Sequence, residues 1–199
     1  MNIKKNAGAA RERMLSNQMT GKLPWGMFKV IRRDLLEKVN VQFEGYSVGE
    51  EAIFSFEILR NAQNVKFADK VIYHYVQNSN GQHTKGDKDP WHPMVTAMKN
   101  HLQEIGEYEK YKKSLNSLAL KAISIGMYRC TMNTNVTDAI KFMSNLHKEY
   151  SEEFDIKTFD KESLDTATRC VLEMLNCKAY LLIYIASRLR KSKQDKLRG

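Results

Sequence analysis

The stretch FEGYSVGEEAIFSFEIL, residues 43–59, places two adjacent acids between a glycine and a strongly apolar segment. Gly49 allows a tight turn at the start of that segment. From Glu51 to Leu59 the apolar residues recur at helical spacing and cover most of the circumference of a helix. A helix of this kind belongs in a protein interior. The stretch therefore predicts a mostly buried helix whose first turn carries acidic side chains.

Glu50 and Glu51 are the candidate catalytic residues of this stretch. The N–H groups and the dipole at a helix N-terminus favour negative charge, whereas two like charges side by side raise the proton affinity of one of them. A carboxylate held at such a position beside a cleft can serve as a general base. The alternative is structural, because acids are common in the first turn of ordinary helices.

Basic residues are concentrated at both ends of the chain, which has 199 residues and a formal net charge of +9. Residues 1–33 carry eight Lys and Arg against one acid, and residues 178–199 carry seven against one. Such ends suit phosphate-rich partners, for example a membrane surface, a nucleotide or nucleic acid. No nucleic acid is expected, because aromatic residues do not alternate with the basic ones on a strand or helix face.

The cysteines and the apolar runs indicate a cytoplasmic protein. Cys130, Cys170 and Cys177 show no C-x-x-C spacing and have no histidine at ligand spacing, which favours reduced structural thiols over a zinc site. No segment has the roughly 18–20 apolar residues that span a membrane. The first residues lack the apolar region of a signal peptide. We expect a cytoplasmic location, either in solution or peripheral at the inner face of the cell membrane.

A turn-rich stretch, NSNGQHTKGDKDP at residues 78–90, is the best candidate for a domain boundary. Before it, Val65–Phe67 and Val71–Val76 are rich in β-branched and aromatic residues and are predicted to be short strands. After it, apolar residues recur at helical spacing. We therefore expect a partial α/β domain at residues 1–88, followed by an α-helical extension at residues 89–199.

Residues 21–82 contain an ordered series of short motifs. In chain order they are Trp25, Leu35-Leu36, Phe43-Glu44-Gly45, Gly49-Glu50-Glu51 and Tyr73-His74-Tyr75. No single motif is specific, but their order and spacing together resemble the second half of a family 2 glycosyltransferase of the GT-A fold. Enzymes of this family build bacterial polysaccharides and related glycans. The resemblance implies the C-terminal portion of an α/β nucleotide-diphospho-sugar transferase domain.

The resemblance implies roles for four residues. Glu51 matches the family's catalytic base, which takes the proton of the acceptor hydroxyl as that oxygen attacks the anomeric carbon with inversion. The family has Asp at this position, so Glu moves the carboxylate by about one bond length, and displacements of this order affect rate. Glu50 would be the supporting acid. On the acceptor side, Trp25 would stack on a sugar face beside Gly49, although an ordinary core tryptophan is the alternative.

The resemblance also implies a nucleotide-sugar donor and a divalent metal, Mn²⁺ or Mg²⁺, bound by the first half of the family's domain. The metal-binding Asp-x-Asp motif is not found where the family has it. The form Asp87-Lys88-Asp89 follows the Tyr-x-Tyr segment and is interpreted as a solvated turn. No glycine-rich phosphate loop precedes a helix. We therefore predict no cofactor-binding or metal-binding residue in this chain.

The resulting hypothesis is an inverting sugar transfer from a nucleotide-sugar to a glycan or lipid-linked acceptor in polysaccharide biosynthesis at the cell envelope. This chain would supply the acceptor and base side only. The donor side would come from a missing or separate N-terminal half, so that the chain is a fragment, a split gene product or a degenerate paralogue.

The C-terminal segment leaves a second function open. Residues 179–186 form an eight-residue apolar run, and six basic residues occur among the last twelve. The run is too short to span a membrane. It is either the last helix of a bundle with a solvated basic tail, or an interfacial helix held to anionic lipid by its basic end. The alternative to sugar transfer is a non-catalytic basic helical protein that binds a membrane surface or a protein partner.

Overall fold

The computed structural model describes residues 3–23, 29–43, 45, 48–67, 74, 89–132 and 134–198. Within these ranges the chain forms eight α-helices and one short 3₁₀ helix. In chain order the α-helices are α1 (Ile3–Met19), α2 (Arg33–Val39), α3 (Glu51–Asn61), α4 (His92–Glu104), α5 (Tyr108–Cys130), α6 (Val136–Glu153), α7 (Thr166–Asn176) and α8 (Tyr180–Arg198), and the 3₁₀ helix is Lys161–Ser163.

The described residues contain no strand, so the predicted partial α/β domain of the GT-A type is wrong and the described chain is helical. Val65–Phe67, a predicted strand, has no regular secondary structure, and Phe67 is 75% exposed. β-branched and aromatic residues favour a strand only when a paired neighbour and a buried face are available. Val71–Val76, the other predicted strand, lies outside the described residues except for His74, which has no regular secondary structure.

Contacts group the chain into two compact units. The first unit consists of Met1–Gly86 and Pro93–Leu115, and the second of Asp87–His92 and Asn116–Gly199. Helix α5 has residues in both. The domain boundary that we predicted between residues 88 and 89 stays a prediction.

Helix α3 lies in the core of the first unit, where it packs against α1 and α2. It begins at Glu51, and most of it is buried, so both predictions for this helix are confirmed. Phe56 of α3 is fully buried, and its ring meets the Tyr111 ring of α5 edge to face at a centroid distance of 5.5 Å. The buried residues of α3 are Ala52, Ile53, Ser55, Phe56, Glu57, Ile58 and Leu59.

The second unit is built around α6, α7 and α8, with α8 packed against the other two. Asn135 and Asp165 start α6 and α7, since their side chains accept the backbone N–H of Asp138 at 2.9 Å and of Thr168 at 2.7 Å. The inward faces are apolar. The buried apolar residues of α6, α7 and α8 include Met143, Leu146, Tyr150, Leu172, Leu175 and Ile183.

Crossing a membrane requires a helix that is both long and apolar. Among the helices of the described residues, none meets this requirement. This agrees with the absence of a long apolar run in the sequence.

Candidate functional site

The turn before α3 has the geometry that its glycine predicts. Gly49 has a φ of 76°, a backbone conformation that costs glycine little and strains other residues. Its carbonyl accepts the N–H of Ala52 at 2.9 Å and so begins the first helical turn. The turn therefore places Glu50 at the N-cap and Glu51 at the first position of the helix.

The two glutamates differ in their surroundings. Glu50 is exposed, and its side chain does not cap the helix. Glu51 is half-buried and interacts electrostatically with Lys29. Burial lowers the pKa of the Lys29 ammonium below its ordinary value, while the nearby Glu51 carboxylate acts in the opposite direction. Glu51 thus acts electrostatically on a half-buried cation, an interaction that the sequence did not reveal.

A groove of about 660 Å³ lies in the first unit and includes Lys29 in its lining. This volume falls within the roughly 300–1,000 Å³ range of small-molecule sites. Its lining combines apolar, basic and amide side chains. The apolar residues include Ile31, Leu35, Ile58, Leu59, Val65 and Phe67. The basic residues are Lys29, Arg32, Lys38 and Lys66, and the amides include Gln63 and Asn64.

The predicted catalytic residues do not line the groove. Neither Glu50 nor Glu51 lines it, whereas Lys29 lines it and interacts electrostatically with Glu51. Trp25, the predicted acceptor platform, lies outside the described residues. The catalytic and acceptor roles of these residues stay predictions.

The described residues do not fit a divalent metal site. No group of three or more His, Cys, Asp or Glu is placed to hold an ion in the part of the chain that is described. Asp34, the acid that lines the groove, accepts two hydrogen bonds from Arg32 at 2.9 and 2.6 Å. Of the Asp-x-Asp form, Asp89 accepts the Tyr150 hydroxyl at 3.3 Å, and the other two residues lie outside the described ranges. We derive no step through a metal.

Glu57 is a buried acid for which the sequence pattern predicted no role. It is 6% exposed. Arg60 donates to its two oxygens at 2.7 and 2.8 Å, Asn61 donates at 3.1 Å, and His101 Nε2 lies 2.9 Å away. Burial raises the pKa of Glu57, but the hydrogen bonds from His101 and Arg60 outweigh burial and lower it to about 2.

A carboxylate engaged by so many donors is held in place and is a poor proton acceptor. Glu57 is therefore a structural acid, and Glu51 keeps its candidacy as the base of this helix. The sequence signal for Glu57 was the pair Glu57 and Arg60 at i, i+3 within an apolar helix, a spacing at which opposite charges meet.

Comparison of the chain with models of known protein families, with curated proteins and with solved structures gave no match. The resemblance to family 2 glycosyltransferases therefore stays a prediction.

Proposed function

We propose that this chain provides the acceptor and base side of an inverting sugar transfer, in which a nucleotide-sugar donates to a glycan or lipid-linked acceptor. The observation that supports this proposal most directly is the position of Lys29. Its side chain lines the groove and also interacts with Glu51 at the start of α3. A cation that the candidate base acts on electrostatically thus lines a cavity of the size that a few sugar rings require.

The lining of the groove suits a carbohydrate. Sugar rings present apolar C–H faces and a perimeter of hydroxyl groups. Apolar side chains such as Leu35 and Phe67 can pack on the faces, and the amides of Gln63 and Asn64 can both donate to and accept from hydroxyls. In this proposal Glu51 would take the proton of the attacking hydroxyl.

We propose no donor-binding role for the described residues. A nucleotide-sugar and its metal would be bound by a separate N-terminal half, which makes this chain one part of a two-part enzyme.

The test is a transfer assay with the protein segment that binds the nucleotide-sugar, joined to this chain or supplied as a subunit. Labelled sugar incorporated into the acceptor glycan is measured for the unchanged chain, for Glu51→Gln and for Glu50→Gln. We expect Glu51→Gln to lower the rate by about 100-fold or more, because general bases contribute roughly 10²–10⁴-fold.

Two controls separate chemistry from folding. Glu50→Gln removes one carboxylate at the neighbouring, exposed position and should retain most of the rate. Circular dichroism should be the same for both variants, since neither acid is buried in the core, and thermal unfolding should show that both remain folded at the assay temperature. A Glu51→Gln protein that transfers sugar at the normal rate would disprove the base assignment.

A further inference from the structure

We propose that α8 docks on an anionic lipid surface through the apolar face that it turns to solvent. This proposal goes beyond sugar transfer and does not depend on it. It rests on the exposure of four apolar side chains, on the position of the lysines that follow them, and on the charge of the C-terminal segment.

The apolar face of α8 consists of Leu181, Leu182, Ile185 and Leu189. Their exposed fractions are 50%, 57%, 45% and 66%. Their spacing of i, i+1, i+4 and i+8 places all four on one side of an α-helix. Large apolar side chains exposed singly need no explanation, but four that share one face form a contiguous patch, and such patches mark interaction sites.

The opposite face of α8 is already occupied. Ile183 is 1% exposed and Ser187 is 9% exposed, and this side packs against α6 and α7. Two arginines secure the helix within the second unit. Arg188 donates to the carbonyl of Thr131 at 3.2 Å, and the Arg190 guanidinium lies 5.1 Å from the centre of the Tyr128 ring. The helix is thus held in place with its apolar face outward.

The charge of α8 identifies the partner. Lys193 and Lys196 are exposed and continue the line of Ile185 and Leu189 towards the C-terminus, because they follow at helical spacing. Residues 178–199 contain seven Lys and Arg and one acid. An apolar half followed by a basic half on one side of a helix matches the lipid interface, where apolar groups enter the acyl boundary and lysines reach the phosphates.

The same charges argue against other occupants of this face. A second copy would bring two strongly basic segments together, and their repulsion opposes a dimer through α8. Nucleic acid would use the lysines but would leave the apolar face exposed. The apolar stretch from Leu181 to Leu189 is only about 12 Å long at 1.5 Å per residue. Such a short anchor needs the additional attraction of anionic headgroups, so binding requires both features.

The experiment is vesicle co-sedimentation of the full chain at low and high salt. The vesicles are phosphatidylcholine alone or phosphatidylcholine mixed with phosphatidylserine. We expect binding to the mixed vesicles only, weakened by salt, since a membrane surface potential acts over about one Debye length. Leu182→Gln with Leu189→Gln removes the apolar contact and should weaken binding more than tenfold, and Gln preserves the helix.

The charge variant is Lys193→Gln with Lys196→Gln. Each substitution should weaken binding by about fivefold, because a basic residue near an anionic surface contributes about 1 kcal/mol. Its matched control is Lys141→Gln with Lys157→Gln, two exposed lysines outside α8, which should bind nearly as well as the unchanged chain. All the substituted residues are exposed, so circular dichroism should report the same fold for each variant.

Several outcomes overturn the proposal. If the unchanged chain does not bind the mixed vesicles, the proposal is disproved directly. Equal binding by the unchanged chain and by the Leu182 and Leu189 variant shows that the apolar face is not used. Self-association in sedimentation equilibrium that is lost on substitution of these leucines assigns the face to a second copy. Salt-sensitive, leucine-dependent binding to mixed vesicles alone supports the proposal.

Discussion

Glu57 shows how a charged residue is accommodated inside an apolar helix. Its carboxylate is buried, and its hydrogen bonds to Arg60 and His101 offset the cost of removing it from water. The pKa of about 2 lies below the ordinary value of 4.5. Glu57 therefore stabilises the fold fully above about pH 4.5, and this contribution is lost as the pH falls towards 2.

The first prediction follows from this shift. Across the acid range, from about pH 5 down to pH 2, Glu57 should account for about 3 kcal/mol of the free energy of unfolding. Urea unfolding at several pH values should show a shallower acid dependence for Glu57→Gln than for the unchanged chain. The exposed Glu104→Gln serves as the control and should leave the acid dependence unchanged. Parallel curves for Glu57→Gln and the unchanged chain would contradict the prediction.

At the level of single helices, α3 depends on a contact from a distant part of the chain. Arg11 of α1 donates through one nitrogen to the carbonyls of Leu59, Arg60 and Ala62 at 3.3, 2.7 and 2.6 Å. The last carbonyls of a helix have no partner within the helix, and positive charge is favourable there. Arg11 thus joins α1 to the C-terminal end of α3 by charge-assisted hydrogen bonds.

We expect Arg11→Met to lower the free energy of unfolding by about 1.5–3 kcal/mol, the usual range for hydrogen bonds to a charged group. Met keeps much of the apolar packing of the arginine stem and removes only the donors. Arg33→Met is the matched control, because the Arg33 side chain is 90% exposed and its partner among the described residues is the surface acid Glu37, so the change should be well below 1 kcal/mol. Equal stabilities of the two variants would show that the Arg11 contacts add nothing.

The same helix shows what the sequence could and could not predict. Its start at Glu51, its burial and the turn at Gly49 follow from local spacing, so they were predictable. The Arg11 contacts join residues 48–51 positions apart, and no local pattern encodes such a pairing. Val65–Phe67 has the composition of a strand, but its conformation depends on whether a pairing segment is available. Local patterns therefore predicted the candidate acids, while the groove and the electrostatic interaction between Lys29 and Glu51 required the structure.

At the scale of the whole molecule, the effect of net charge on the stability of the fold can be tested. The chain carries +9, and the excess is concentrated in residues 1–33 and 178–199. Net charge far from zero destabilises a compact state through self-repulsion, and salt screens that repulsion. Exposed ion pairs such as Lys148 with Glu152, 3.8 Å apart, act in the opposite direction, but each contributes only about 0–1 kcal/mol.

We therefore expect sodium chloride to stabilise the fold, with a gain of about 1 kcal/mol between low salt and roughly 0.5 M. Urea is the denaturant because it is uncharged. Lys193→Gln with Lys196→Gln lowers the net charge and should reduce the gain, whereas Glu104→Gln with Glu149→Gln raises the net charge and should increase it. All four residues are exposed, so packing is unaffected. A stability that falls as salt is added would show that the surface ion pairs outweigh the repulsion between the basic segments.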